Sequence, residues 1–316
     1  MVLENEVMIM SIFKDGLIGL AVGEAFGVQL DNEDMNLKNP VTEMKSFRAY
    51  DVEGGSYSDD TVSVLAIMDS FSHKRIFDMN DVSDRLCDWI NENTYSSAGT
   101  LFDISKTLRL SLMDYWNTHD ATINGRMEDS KQDASVLTRI YPLAIYLYNK
   151  KIDEDTLFNL VKEFSLISHN NEMSFLGAFI YLKYILYLFK GSDKKSALTS
   201  VKRYNYKKYF SDSTISKYDR ILKNNIKDLK IKDIKDDDGV VSILESSLWV
   251  ILNTDNYKDA LVSSSAIGGA NGVRGSVTGL LAGIINSKKS IPKEWVSSLK
   301  RKDYIEKILR IYVSVI

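Results

Sequence analysis

The chain has 316 residues, of which 44% are hydrophobic, so it is long enough to bury a large core. Its formal net charge of −3 leaves no general basic field, which argues against nucleic acid or an anionic membrane as a partner. One cysteine, Cys87, and three scattered histidines offer neither an intramolecular disulfide nor a zinc-like cluster, so we expect a cytoplasmic protein with a small-molecule or protein partner.

The N-terminal segment carries Glu4 and Glu6, and charged residues interrupt its apolar run, which argues against a secretory signal. No apolar run reaches the roughly 18 to 20 residues that a membrane span needs. The longest candidate, 175–189, contains Lys183 and is rich in tyrosine, so it is predicted to be a buried helix.

Apolar residues recur at helical spacing through most of the chain, and only three prolines interrupt it. Period-two alternation flanked by hairpin turns is nearly absent, so the sequence predicts an all-α fold. A first helix is predicted around residues 12–22, and a second starts just after residues 58–61. Further helices are predicted at 81–93, 100–115, 134–149, 154–166, 173–190, 240–253, 257–266, 273–286, 293–299 and 303–315.

Between residues 190 and 238 the composition shifts to Lys, Asp, Asn and Tyr. The most polar part is the mixed-charge run 227–238, a pattern typical of a solvated surface. We interpret 190–238 as a connection that carries one or two amphipathic helices. The sequence therefore predicts one domain over residues 1–316.

The segment Tyr57-Ser58-Asp59-Asp60-Thr61 has two interpretations. As a helix start, Ser58 is the cap, and the two carboxylates favour the positive end of the helix dipole. As a metal site, the carboxylates and hydroxyls supply hard oxygen ligands, which suit Mg²⁺, Mn²⁺ or Ca²⁺. Spacing alone favours the helix start, and the metal site stays open.

Two segments place glycines three or four residues apart, as on one helix face: Gly16, Gly19, Gly23 and Gly27, then Gly272, Gly275, Gly279 and Gly283. Each interior glycine costs roughly 1 kcal/mol relative to alanine, so close approach of another helix or of a ligand must offset it. Close helix packing is the favoured interpretation. The glycine pair that precedes the second segment can also bring backbone N–H groups to a phosphate, and Arg274 adds positive charge there.

Three of these features, in this order, resemble the ADP-ribosylglycohydrolase family. The segment 19–27 is similar to its glycine-rich first helix, and 57–61 to its Thr-Asp-Asp-Thr motif. The segment 266–283, followed by Ile-Pro-Lys-Glu-Trp at 291–295, is similar to its C-terminal signature. The resemblance covers nearly the whole chain.

The resemblance implies an orthogonal helical bundle with two divalent cations, usually Mg²⁺, at the bottom of a cleft for ADP-ribose. Ser58, Asp59 and Asp60 match one group of metal ligands. Asp31 matches an acidic position, more often glutamate, that assists the attacking water as a general base. The candidate ligand-binding residues are Glu24, Arg139, His169, Gly268, Gly269, Asn271 and Arg274.

The departures from the family pattern are concentrated at the chemistry. Ala270, Gly272 and Val273 stand where the family has two metal-binding aspartates and a threonine. The family's Asn-Gly-Ser-x-Met-Arg loop aligns with 134–139, of which Arg139 keeps the pattern. Before a later helix, where the family often has an acidic residue, this chain has Ser242. Because Mg²⁺ sheds water reluctantly without carboxylate ligands, the sequence predicts one bound Mg²⁺ at most.

These observations predict a hydrolytically impaired homologue that binds ADP-ribose, an NAD-derived nucleotide or an ADP-ribosylated protein. One alternative is an active N- or O-glycosidic ADP-ribosyl hydrolase that uses one cation or recruits Asp236, Asp237 or Asp238. Another is a protein-interaction or sequestration module whose cleft is vestigial.

Overall fold

A computed structural model describes residues 2–31, 41–44, 50–123, 125–127, 133–287 and 291–316, leaving out the side chains of residues 2–6. The described residues form sixteen α-helices and contain no β-strand, which confirms the predicted all-α fold. The helices are α1 (Val2–Gly27), α2 (Asp59–Lys74), α3 (Met79–Glu92), α4 (Lys106–Thr118), α5 (Ser135–Arg139), α6 (Tyr141–Leu147), α7 (Glu154–Leu166), α8 (Glu172–Phe189), α9 (Lys194–Lys202), α10 (Asp212–Lys217), α11 (Asp219–Leu222), α12 (Val240–Asn253), α13 (Tyr257–Ser265), α14 (Asn271–Ile285), α15 (Lys293–Ser298) and α16 (Lys302–Val313).

Most predicted helices occur within a few residues of their predicted bounds, and α7 and α12 begin and end where the periodicity predicts. The prediction for 134–149 was wrong in one respect, since this segment forms two helices, α5 and α6. Pro142 lies in the first turn of α6. Proline has no backbone N–H to donate, and its ring would clash with the preceding turn of a continuous helix, so α5 ends at Arg139.

Helices α1 and α14 pack antiparallel along the two glycine faces. A Cβ on Gly23 would lie 2.1 Å from the carbonyl oxygen of Gly275, and one on Gly19 would lie 2.4 Å from that of Gly279. These distances leave no space for a side chain, so the glycines allow backbone-to-backbone contact. The favoured interpretation of both glycine segments, close helix packing, is confirmed.

Buried tyrosines connect helices across this core by donating hydrogen bonds to backbone carbonyls. The hydroxyl of Tyr181 on α8 donates to Val277 on α14 at 2.8 Å, and that of Tyr257 on α13 donates to Gly19 on α1 at 2.7 Å. Each bond satisfies a polar group that burial would otherwise leave costly. The tyrosines thus fix the positions of neighbouring helices around α1 and α14.

Helix α8 is, within the described ranges, the one helix long and apolar enough to cross a membrane by composition. However, 72% of its apolar window is buried within the protein. This pattern is that of a core helix, as the sequence predicts for this segment.

The polar connection 190–238 is more structured than the sequence suggests. It contains three short α-helices, α9 to α11, and three 3₁₀ turns. Tyr218 and Ile226 are fully buried in it, so parts of the connection pack against the core. Its final residues, Asp236 to Asp238, reach the cleft described next.

Candidate active-site cleft

Four helices, α2, α4, α5 and α14, begin at the walls of one cavity of about 610 Å³. Helix starts carry partial positive charge, which favours acidic groups nearby. Lys106 is the one positively charged side chain among the described lining residues. Eight lining residues are aspartates, namely Asp31, Asp59, Asp60, Asp103, Asp133, Asp236, Asp237 and Asp238.

Glu24 caps the start of α2. Its carboxylate accepts hydrogen bonds from the backbone N–H groups of Asp60 at 3.1 Å and Thr61 at 3.0 Å. The interpretation of Ser58 as the side-chain cap was therefore wrong, because Glu24 occupies those donors. The Ser58 hydroxyl instead donates to the backbone carbonyls of Phe102 and Asp103, which fixes the loop before α4. As a metal ligand, Ser58 stays a prediction.

Asp59 and Asp60 lie in the first turn of α2 and are almost fully buried. Asp59 Oδ2 accepts from the Ser105 backbone N–H at 2.9 Å. The two oxygens of Asp60 accept from the hydroxyls of Thr138 at 2.7 Å and Ser276 at 2.8 Å. These bonds fix both carboxylates and connect α2 to the loop before α4, to α5 and to α14.

Asp31 caps the start of α14 in the same way. Its Oδ1 accepts from the backbone N–H of Gly272 at 2.7 Å. A Cβ on Gly272 would lie 3.0 Å from Asp31 Oδ2 and 3.5 Å from Asp103 Oδ2. Two carboxylate oxygens therefore lie beside the backbone position from which the family's aspartate would extend.

Asp103 is a cleft residue that the sequence analysis missed. It has a left-handed backbone with φ of 41°, and Tyr50 donates its hydroxyl hydrogen to Asp103 Oδ1 at 2.7 Å. No motif marks Asp103, because it reaches the cleft through the bonds of its backbone to Ser58. Its position before the helix start at Lys106 was the available signal, and the predicted start at residue 100 concealed it.

Burial and mutual repulsion raise the pKa of the carboxyls in the cleft. Burial, followed by repulsion from Asp103, raises the pKa of Asp31 to about 8. Burial raises the pKa of Asp60 to about 6, although hydroxyl donors and Arg139 oppose this. The pKa values of Glu24 and Asp59 are raised well above their usual range by burial and then by Asp60. A bound cation would relieve this repulsion.

Glu24, Asp59 and Asp60 each offer a carboxylate oxygen, and these three oxygens lie within 4.8 Å of one another. Among the described residues, none donates a hydrogen bond to Asp59 Oδ1, which leaves that oxygen to a ligand. Carboxylate oxygens are the ligands that Mg²⁺ prefers. The donor set therefore fits a hard divalent cation.

Arg139 and His169, both predicted ligand contacts, are fully buried behind the cleft wall. The guanidinium of Arg139 donates to the Ser135 and Ser168 hydroxyls and, at 3.2 Å, to the Ser135 carbonyl. His169 Nδ1 is bonded to the Ser168 hydroxyl at 2.7 Å, and Nε2 lies 3.7 Å from Asp133 Oδ1. Burial lowers the pKa of His169 to about 4 despite Asp133, so the imidazole is neutral at pH 7.

Arg274 holds the loop Asp236–Asp238 against the start of α14. Its guanidinium donates to the carbonyls of Gly268 at 2.6 Å and Asp236 at 3.0 Å, and to Ser246 Oγ at 3.1 Å. Gly268 and Gly269 both have positive φ, and a Cβ on Gly269 would lie 2.2 Å from the Asp236 carbonyl oxygen.

The Asn271 side chain donates to the Leu30 carbonyl at 2.7 Å. Gly269 lines the cavity. The other predicted contacts in this segment, Gly268, Asn271 and Arg274, form the wall behind it. Their roles in ligand binding remain predictions.

The family model described as ADP-ribosylglycohydrolase matches residues 7–315. An ADP-ribosylarginine hydrolase Tri1 from Serratia proteamaculans is 27% identical over 299 residues, covering 93% of this chain and 77% of the relative. An ADP-ribosyl-[dinitrogen reductase] glycohydrolase from Rhodospirillum rubrum is 21% identical and covers 90% of this chain and 89% of the relative.

A solved structure titled an ADP-ribosylglycohydrolase-related protein complex has the same fold, with a TM-score of 0.80. It is 19% identical to this chain, and the match covers 97% of this chain and 98% of the other. The all-α fold that the resemblance implies is thus confirmed over nearly the whole chain.

Proposed function

This chain belongs to the ADP-ribosylglycohydrolase family, and on that premise we propose that its cleft binds an ADP-ribose-type ligand together with one divalent cation, with hydrolysis impaired. The observation that carries the proposal is the combination of a cavity lined by eight aspartates with Ala270, Gly272 and Val273 at the start of α14. The acidic scaffold for a cation is present, whereas three ligands of the family's second metal group are absent.

The charge of the cleft supports a cation as part of the binding site. A diphosphate entering a cavity with eight carboxyl groups and one lysine is repelled unless a cation neutralises some of that charge. We assign this cation, most simply Mg²⁺, to Asp59 and Asp60, with Glu24 completing the group. Asp60 keeps lone pairs for a ligand, since each of its oxygens accepts one hydroxyl hydrogen.

A bound cation would supply Lewis-acid and positioning chemistry at the ribose. The chain's own residues shape the site around it. Glu24 and Asp31 hold the starts of α2 and α14 in place, and Ser276 and Thr138 fix the orientation of Asp60. Asp31 lines the cavity, and we propose that it acts as a general base on water once a bound cation favours its ionised form.

The loop Asp236–Asp238 is acidic and lines the cavity, so it favours a ligand in which the group attached to the ribose is cationic. A guanidinium suits such carboxylates because it donates several hydrogen bonds in a fixed geometry. The Serratia relative is named an ADP-ribosylarginine hydrolase. We therefore propose that the natural ligand is an ADP-ribosylated arginine side chain on a protein. We propose that this chain binds it in the cytoplasm.

Titration calorimetry with Mn²⁺ and ADP-ribose tests this proposal. We expect one cation per chain, ADP-ribose binding that EDTA abolishes, and slow or undetectable release of ADP-ribose from modified arginine. Asp59→Asn should weaken Mn²⁺ binding, whereas Asp88→Asn, a change at an exposed position on α3, should not. Heat-silent titrations at millimolar ligand, with capture of a stoichiometric protein partner, would contradict the proposal and support a sequestration module.

One observation favours an active hydrolase with non-standard ligands as the second candidate. The Asp31 and Asp103 oxygens that lie beside Gly272 are carboxylates where the family's aspartate is missing. Two Mn²⁺ ions per chain, with ADP-ribose release that Asp103→Asn abolishes, would establish this function. One Mn²⁺ without turnover would contradict it.

A further inference from the structure

The anionic part of an ADP-ribose-type ligand needs a positive partner beyond the cation at Asp59 and Asp60. A diphosphate carries charge on both phosphates, and the side chains around it in this cleft are mainly acidic. The identity of that partner is not given by the family motifs in the sequence. This inference rests on the proposed function, since it concerns the same ligand.

The two arginines that the sequence predicts as anion contacts already use their guanidinium groups in hydrogen bonds within the protein. Each donor nitrogen of Arg139 bonds to a protein oxygen of Ser135 or Ser168. The guanidinium of Arg274 is bonded to Gly268, Asp236 and Ser246, and both side chains are at most 1% exposed. Neither can reach a phosphate without breaking several buried hydrogen bonds, which is costly.

Backbone N–H groups at the starts of α2 and α14 likewise already donate to carboxylates of the protein. Glu24 accepts the first-turn N–H groups of α2, and Asp31 accepts that of Gly272 in α14. A phosphate at either helix start would have to displace a carboxylate. Near the glycine pair, the backbone N–H of Gly268 donates to the Ser265 carbonyl at 3.2 Å and that of Ala270 to the Asp236 carbonyl at 3.0 Å, so these groups, considered from sequence as phosphate donors, are not the leading candidates.

Lys106 remains. It is the first residue of α4, lines the cavity and is exposed, and within the described part of the chain no carboxylate lies within ion-pair distance of its ammonium. Its neighbour Ser105 bonds to Asp59 through the backbone, so Lys106 is anchored beside the proposed cation. The positive end of the α4 dipole adds to its charge.

We infer that Lys106 is a ligand-binding residue whose ammonium contacts the diphosphate of an ADP-ribose-type ligand. The long side chain donates charge-assisted hydrogen bonds to phosphate oxygens. It thereby gives the acidic cleft its preference for a phosphate-bearing ligand over an uncharged nucleoside.

Calorimetry with ADP-ribose in the presence of Mg²⁺ tests this inference on four proteins. These are the wild type, Lys106→Gln, Lys106→Arg and Lys258→Gln. Lys258 is the matched control, because it is an exposed lysine in the first turn of α13 and does not line the cavity. Because Lys106 is exposed, its replacement leaves the core intact, which melting curves verify.

Loss of a charge-assisted hydrogen bond should weaken ADP-ribose binding by Lys106→Gln roughly 10- to 100-fold. Lys106→Arg should retain most of the affinity, and Lys258→Gln all of it. Mn²⁺ affinity without nucleotide should not fall in Lys106→Gln, because removing a positive charge cannot weaken a neighbouring cation site.

Two failures are distinguishable. If wild type binds Mn²⁺ but not ADP-ribose, both the proposed function and the role of Lys106 are overturned. If wild type binds ADP-ribose and Lys106→Gln binds it as tightly as Lys258→Gln, the function stands and the role of Lys106 is overturned.

Discussion

At the scale of single residues, the cleft concentrates carboxyl groups that destabilise the cation-free protein when ionised. Asp59 lies close to Asp60, Asp103 and Glu24, and burial is the largest cause of its raised pKa. Groups selected for a ligand commonly cost stability in its absence. The same side chain should therefore affect stability and ligand binding in opposite directions.

Asp59→Asn tests this opposition. We expect a higher melting temperature of the EDTA-treated protein, because the amide keeps the acceptor for the Ser105 N–H and removes a buried carboxyl that its acidic neighbours repel when it is ionised. Mn²⁺ affinity should fall at least about ten-fold, since a charged ligand is lost. Differential scanning fluorimetry and Mn²⁺ titration measure the two effects, with Asp88→Asn as control. A lower melting temperature without metal would contradict the argument.

Residue roles were partly predictable from the sequence. Asp59 and Asp60 were found because adjacent carboxylates at a helix start form a local pattern. Asp103 and Lys106 were not, because their approach to the cleft depends on the Ser58 hydroxyl and on where α4 begins. Arg139 and His169 were identified as site residues, but a sequence pattern does not show whether a guanidinium faces a ligand or a buried serine.

At the scale of helices, the pair α1 and α14 has the strictest requirement for small residues. Gly23→Ala should destabilise the protein by about 3 kcal/mol, because its Cβ would lie 2.1 Å from a backbone oxygen that cannot move alone. Urea unfolding measures the loss.

Gly191→Ala is the control for this glycine substitution. It has φ of 85° and no atom within 4 Å of the added Cβ, so it should cost only the left-handed strain of about 1 kcal/mol. Equal losses in the two variants would show that packing between α1 and α14 is not the cause.

The loop Asp236–Asp238 depends on one side chain from α14. Arg274→Met should leave the carbonyls of Gly268 and Asp236 without their charged donor and cost about 2–4 kcal/mol. Hydrogen exchange should become faster at residues 236–238 and 268–271, while Arg203→Met, at an exposed site, leaves it unchanged. Unaltered exchange in Arg274→Met would show that other contacts hold this loop.

Helix bounds were the most predictable level of structure, since apolar periodicity is local. The limits of α7 and α12 followed from it directly. The two glycine faces predicted close packing, but not that α1 and α14 are each other's partners. That pairing joins residues 2–27 to residues 271–285, which are far apart in the sequence, and no local signal specifies it.

At the scale of the whole molecule, the acidic cleft makes stability depend on pH. The pKa of Asp31 is about 8 and that of Asp60 about 6, both above the ordinary value of 3.8 expected in the unfolded chain. Between these limits the folded protein binds more protons than the unfolded one, so its stability falls as pH rises.

We expect the melting temperature of the EDTA-treated protein to fall by about 3 °C or more between pH 5 and pH 8. Saturating Mg²⁺ should flatten this dependence, because a bound cation favours the ionised carboxylates. Melting curves at several pH values, with and without Mg²⁺, measure both effects. A metal-free protein that becomes more stable toward pH 8 would contradict the assignment.

The contact between α1 and α14 has a consequence for how the protein is made in the cell. Translation at about 5–20 residues per second separates the emergence of these helices by on the order of 10–50 s. Throughout that interval the glycine face of the nascent α1 presents bare backbone whose native partner, α14, has not yet been made. Completion of the fold must wait for the ribosome to release residues 271–316, so the exposed glycine face makes α1 a natural binding segment for chaperones.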